Sequence, residues 1–357
     1  MPAQPDRQAM FGGTEAPPSH LALDLARLGP FLAARLDGLD GQIEVAKFKG
    51  GQSNPTYRIT GPASGYVLRR KPPGQLVESA HAIEREYRIL TALGAAGFPV
   101  PHTHFYCRNL EVAGFEFYVA EYVEGRVFWD AELPGLAPSE RAAIYGEMNA
   151  ALAHLHELDP GEVGLRDLGR REGYAARNLE RWSAIYRQSQ MVDIPDMEWL
   201  IEALPKHLPA QGDERLVHGD YGLYNIIVHP TEPRLLAILD WEMATLGDPF
   251  IDLAHHLRPW WEVPDPQHGA ATSLFGRDLD ALGIPSREAY VGAYCRHRNI
   301  AVPDLRFSLA FAQFRYAAMI QGILKRVADG TATGRVVLHR QERVAQAAAL
   351  ARSSLEA

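Results

Sequence analysis

The sequence predicts an α+β chain with a small strand-rich first lobe and a larger helical second lobe. Three observations carry this. Short β-prone runs at 47–60, 65–69 and 115–122 fall early in the chain. Stretches with apolar residues at helical spacing follow at 138–158, 172–190 and 303–328. The 357 residues, 46% of them hydrophobic, are enough for two lobes with a substantial core.

Composition narrows the function. There are 36 basic and 44 acidic side chains, a net charge of −8, which argues against general nucleic-acid affinity but allows a local basic cradle. Only Cys107 and Cys295 are present, so no disulfide framework is expected and a reducing cytoplasm fits. No apolar stretch approaches the ~20 residues of a membrane span, and no leader pattern opens the chain. A membrane partner is therefore not expected.

Residues 1–20 are rich in Pro, Gly and Ala and read as a mobile lead-in. The first lobe is then 21–122 and the second 123–357. Residues 21–36 have a helical scatter of apolar groups, broken at Gly29-Pro30, and read as one or two short helices packed on the first lobe. A strand next enters Gly50-Gly51 and another leaves through Tyr57 and Ile59. Glycines in such a turn let backbone N–H groups approach a phosphate, and Ser53 and Asn54 add donors. An ordinary hairpin turn has the same pattern. The strand at 65–69 ends in Arg69. In the helix at 79–94, Ile83, Tyr87 and Leu90 mark an inner face that also holds Glu86. A carboxylate on a buried face needs a counter-ion, and Arg69 is the candidate.

The stiff Phe98-Pro99-Val100-Pro101 connector precedes the strand at 115–122, which runs into Val123-Glu124-Gly125. In the second lobe a helix starts at Pro138-Ser139 and stops at Asp159-Pro160, with Ile144, Met148, Leu152 and Leu155 inward. His154 and His156 near its end read as structural or surface groups. Tyr174, Leu179, Trp182 and Tyr186 in the next helix read as core.

The centre of the chain is 216–242. His218-Gly219-Asp220 is a sharp turn with an acid at its tip, and Asn225 follows five positions later. Ile226-Ile227-Val228 and Leu235 to Leu239 are two apolar runs around a Pro-Thr-Glu-Pro turn, and Asp240 closes the second. Such a hairpin brings Asp220, Asn225 and Asp240 towards one end. Two carboxylates and an amide clustered together suit a hard cation, and Mg²⁺ often shares oxygen ligands with substrate phosphates. Glu242, two beyond Asp240, faces the same side. His218 packs under the turn.

His-Gly-Asp, four residues, Asn, an apolar strand and Asp-Trp-Glu together resemble the aminoglycoside phosphotransferase family, the small-molecule branch of the protein-kinase-like fold. The resemblance spans roughly 45–330. It implies ATP as co-substrate, with GTP also compatible, Mg²⁺, and a small-molecule alcohol as acceptor. It implies Asp220 as the base, with Asn225 and Asp240 holding metal. Gly50, Gly51, Ser53 and Asn54 would lie over the phosphates. Arg69 stands where protein kinases have Lys, with Glu86 as its helix partner. The backbone of 121–123, from Glu121 to Val123, would meet the purine edge.

Asp248-Pro249 reads as a helix start. The resemblance makes Asp252 the buttress of the catalytic turn; a carboxylate favoured at a helix N-terminus is the plainer alternative. It also places the acceptor among C-terminal helices, where Arg258, Trp260 and Trp261 could contribute with Glu242. The stretches 50–57 and 66–74 are similar to kinase-like domains joined to acyl-CoA dehydrogenases, which favours a hydroxyacyl-CoA acceptor. An aminoglycoside or amino alcohol is the alternative, as is a non-catalytic nucleotide-binding module. A protein kinase fits less well, since the Ala-Pro-Glu motif is missing. Oligomeric state is open.

Overall fold

The structure is a computed structural model that describes residues 7–40, 42–49, 54–62, 64–71, 83–170, 172–210, 212, 214–264, 273–330 and 341–357. In chain order the elements begin α1 (Arg7–Phe11), β1 (Thr14–Glu15), α2 (Leu25–Ala33), β2 (Glu44–Phe48), β3 (Thr56–Thr60) and β4 (Gly65–Arg70). Next come α3 (Ile83–Ala95), β5 (Thr103–Cys107), α4 (Leu110–Ala113), β6 (Phe117–Glu121), α5 (Pro138–Glu157), α6 (Tyr174–Ser189) and α7 (Pro195–Ala203). The chain continues with β7 (Arg215–Val217), β8 (Ile226–Val228), β9 (Leu235–Ile238), β10 (Thr245–Gly247) and α8 (Pro249–His256). It ends in α9 (Leu279–Leu282), α10 (Arg287–His297), α11 (Arg306–Ala328) and α12 (Gln341–Glu356).

These elements form two compact units, one of 6–129 with 224–242, the other of 130–223 with 243–357. The boundary expected after residue 122 falls at 129, and the segment 224–242 packs with the sheet. Backbone pairing is the reason. Arg126 and Val228 exchange hydrogen bonds, and the Ile238 N–H reaches the Pro99 carbonyl at 2.9 Å. Gly125 makes the approach feasible, since a Cβ there would stand 2.5 Å from the Val228 oxygen.

In the first unit an antiparallel six-stranded sheet runs β1-β2-β3-β4-β6-β5. Strand alternation buries Tyr57, Ile59, Leu68 and Val119 with Leu28, Leu32 and Leu36 around α2. Leu68→Ala, at the centre of this core, would cost about 2–5 kcal/mol. Helix α3 packs against β5 and β6 and buries Ile83, Ile89, Leu90 and Leu93. One expectation is corrected: residues 7–21 hold regular structure, with Thr14 and Glu15 paired to Phe48 and Lys47 of β2. Of the one or two short helices open for 21–36, a single α2 forms and runs through Gly29-Pro30, because the burial of Leu28 and Leu32 outweighs the lost N–H.

In the second unit α11 packs against α6, α8 and α12. Its core joins Trp182 and Tyr186 of α6 with Phe307, Phe311 and Phe314 of α11 and Val344 and Ala348 of α12. The inward stripe of α5 is the expected one, Ile144, Met148, Leu152 and Leu155. Helix α11 starts at Arg306, later than 303, where Asp304 accepts the Arg306 N–H. Strand β7 pairs with β10, a strand the sequence did not suggest. No described helix is long and apolar enough to cross a membrane.

Candidate active site

In the sheet unit, strand β4 carries Arg69 inward and helix α3 presents Glu86 to it. The Arg69 Nε lies 3.0 Å from Glu86 Oε2. The N–H is not aligned on the oxygen, so the contact is ionic and not a hydrogen bond. The other side of the guanidinium donates to Asp240 Oδ1 at 2.7 Å and Glu242 Oε2 at 3.2 Å. Glu86 is 2% exposed. Burial drives its carboxyl up to about 7, against the pull of Arg69, with Asp240 and Glu242 pushing the same way as burial. Arg69 thus ties the helix acid to both acids after β9.

Asn225 opens β8 and Asp240 follows β9. Ile226 faces Ile238 in register, and the Leu239 N–H donates to the Asn225 carbonyl at 2.8 Å, so the two residues share one end of the hairpin. Asp240 has φ +64, a left-handed conformation uncommon away from glycine. Strain of this kind, on the order of 1–3 kcal/mol, clusters at functional sites. Asn54 is 1% exposed, donates from Nδ2 to Glu242 at 3.1 Å, and has no partner for Oδ1 among the described residues.

Three carboxylates around one guanidinium leave an excess of negative charge. All these donors are oxygens, which suits Mg²⁺. Among the described residues no group of three or more His, Cys, Asp or Glu is arranged to hold a metal alone.

In the helical unit, β7 leads into the His218-Gly219-Asp220 turn. The N–H groups of His218 and Gly219 donate to Asp252 Oδ2 and Oδ1, each at 2.8 Å. The buried His156 Nε2 is 3.2 Å from Oδ2, and its Nδ1 is 2.6 Å from the Tyr294 hydroxyl. Burial opposes ionisation of Asp252, but His156 and the His218 N–H outweigh it and hold the carboxyl well below its usual range. Gly219 has φ +81, and a Cβ there would stand 2.7 Å from the Met243 carbonyl oxygen, so only glycine fits. Arg315 of α11 donates to the Gly219 carbonyl at 2.7 Å. His255 Nε2 lies 3.1 Å from Asp220 Oδ1. The Asp220 side chain is 34% exposed, open enough to meet a hydroxyl.

Known proteins supply the context. Residues 44–296 match the model of the phosphotransferase enzyme family. The chain belongs to the phosphotransferase enzyme family. It is 42% identical over 294 residues to acyl-CoA dehydrogenase family member 10 of Mus musculus, covering 82% of this chain and 27% of that protein. It is 40% identical over 320 residues to family member 11 of Homo sapiens, covering 87% and 40%. The chain therefore spans well under half the length of these relatives. A crystal structure of a candidate aminoglycoside phosphotransferase from Ralstonia eutropha superposes with TM-score 0.83 at 40% identity, covering 94% and 99%. A spectinomycin phosphotransferase in complex with ADP and spectinomycin, 12% identical, superposes with TM-score 0.59, covering 93% and 98%, and shares the fold. The fold is the α+β, protein-kinase-like one that the sequence predicted.

For this family member the remaining expected residues fall as follows. Gly50, Gly51 and Ser53 lie outside the described residues. The Glu121 N–H goes to the His102 carbonyl at 2.8 Å and the Tyr122 N–H to Gly65, so both serve the sheet. His218 is fully buried under its turn, and its Nδ1 accepts the Asp220 N–H at 3.2 Å. Arg258, Trp260 and Trp261, suggested for the acceptor site, are packed within the helical unit. Trp260 is buried among Tyr145, His256 and Tyr290 and donates to the Pro285 carbonyl. Trp261 is also buried. Arg258 stacks 3.5 Å over Tyr316 and pairs with Glu262 at 2.7 Å. His255 and Arg315 were missed, while His156, read as a structural or surface group, is a buried partner of Asp252.

Proposed function

We propose that the chain transfers the terminal phosphoryl group of ATP to the hydroxyl of a small molecule, with Mg²⁺, and that the acceptor is a hydroxyacyl-CoA. The observation that carries the reading is the single guanidinium of Arg69 joining Glu86 to Asp240 and Glu242. A strand cation, a helix acid and a hairpin acid in contact is the arrangement phosphoryl transfer calls for.

Asn225 and Asp240 would hold Mg²⁺, which neutralises charge between the terminal phosphates. Arg69, fixed by Glu86, would pair a phosphate oxygen, as a planar fork can. Asn54 and the 50–53 loop would contribute donors from above, and the 121–123 backbone would meet the purine edge. Asp220, on its clamped turn, would accept the hydrogen bond of the acceptor hydroxyl, orient it in line, and take its proton. Little covalent work is asked of the protein; the gain comes from positioning and electrostatics. The ADP in the spectinomycin phosphotransferase supports the nucleotide.

The acyl-CoA dehydrogenase relatives support the acceptor. The Ralstonia protein favours a second reading, an aminoglycoside, which would suit a chain of net charge −8. The test is ADP formation from Mg·ATP over hydroxyacyl-CoAs, aminoglycosides and amino alcohols. Turnover with a hydroxyacyl-CoA supports the proposal, and preferred turnover with an aminoglycoside replaces the acceptor. ATP binding by calorimetry without turnover on any of them would make the chain a binding module.

A further inference from the structure

We propose that His255 is a positioning residue that fixes the carboxylate of Asp220 through a hydrogen bond from Nε2–H to Oδ1. The inference rests on the reading of Asp220 as the group that receives the acceptor hydroxyl. The contact is 3.1 Å, and His255 is 7% exposed in the helical unit. Among the described residues its other ring nitrogen, Nδ1, is buried and has no hydrogen-bond partner. The polar bonding of the ring is directed at Asp220.

Placement on α8 strengthens the argument. Asp252, one turn earlier on the same helix, receives the two N–H groups of the turn, while Arg315 holds the Gly219 carbonyl. These contacts fix the backbone of the turn, and His255 adds a hydrogen bond to the Asp220 side chain itself. Burial lowers its pKa; the Asp220 hydrogen bond opposes this, and Arg258 and Arg315 add to it. The ring is then neutral and carries one N–H, which the geometry assigns to Nε2. A neutral donor orients the carboxylate without cancelling its charge, so the negative charge remains available to the hydroxyl.

Two measurements test this on the full chain. The first needs no acceptor. In ¹⁵N-histidine NMR the His255 ring should be the Nε2–H tautomer, with a proton resonance that shifts or is lost in Asp220→Ala. An unchanged signal overturns the contact. The second is steady-state ADP formation from Mg·ATP, with 3-hydroxybutyryl-CoA and with water alone as hydroxyl donor. His255→Leu, which removes the donor, should lower kcat about 10- to 100-fold with the KM for ATP unchanged. His255→Gln, which restores an N–H, should recover most of it. In an Asp220→Ala background His255→Leu should have no further effect. Equal losses in the Leu and Gln variants, or additive losses in the double variant, would mean a packing role and sink the proposal. Unaltered turnover in Asp220→Ala sinks the base reading itself, whereas unaltered turnover in His255→Leu alone sinks only this inference.

Discussion

The backbone N–H of His218 reaches Oδ2 of Asp252 at 2.8 Å, across 34 positions of sequence. With the Gly219 N–H on Oδ1, the carboxylate acts as a peg on which the turn hangs. Asp252→Ala leaves two buried N–H groups and His156 without their acceptor. Removing one side of a buried, charged arrangement costs about 3–5 kcal/mol. Urea unfolding should read a loss of that size, and a loss under about 1 kcal/mol would show that the turn holds without its peg.

The same carboxylate sets an acid limit. Its folded pKa is depressed, so its contribution is fully present above the unfolded value, about 3.9. It is lost progressively as pH falls below that towards the folded value. Melting temperature should therefore decline below about pH 4. The decline should be shallower in Asp252→Asn, which no longer gives up that proton linkage. Identical slopes in the two proteins would remove Asp252 as a source of the acid sensitivity.

Arg69 spans acids that no lysine could span. Nε faces Glu86, and the far nitrogen meets Asp240 and Glu242. An ammonium is a point charge and cannot fork in this way. Arg69→Met should raise the KM for ATP at least about tenfold, equivalent to ~1.4 kcal/mol, and Arg69→Lys should recover part of that. ATP titrations in which both variants bind like the native protein would detach Arg69 from the nucleotide.

What the sequence disclosed follows from how local each constraint is. The turn at 218–220 needs Gly219 for its positive φ and its approach to Met243, and such demands leave a mark on residue type. The strands around Tyr57, Ile59 and Leu68 show their buried face by alternation. Glu86 was legible because a carboxylate on an apolar stripe contradicts its surroundings. His255 was not, since beside His256 it looks like any buried aromatic, and only the contact with Asp220 distinguishes it. The pairing of Thr14 with Phe48 is a matter of distant backbone, which composition does not record. Trp260 was ambiguous for a related reason: indoles serve cores and surfaces alike, and the rings packed around it come from other helices.

Asp220 and Asp240 are both acids of the 216–242 stretch, yet the proposal gives them separable tasks. Asp240, left-handed and bound to Arg69, belongs to the metal and the phosphates. Asp220, held by its own turn and by His255, belongs to the acceptor. Asp220→Ala should lower turnover by about 10²–10⁴ while calorimetry finds ATP bound nearly as tightly as before. Asp240→Ala should instead remove the part of ATP affinity that depends on Mg²⁺, so that titrations with and without the ion coincide. If Asp220→Ala also lost its Mg²⁺-dependent affinity, or Asp240→Ala kept it, the division of labour between the two carboxylates would be wrong.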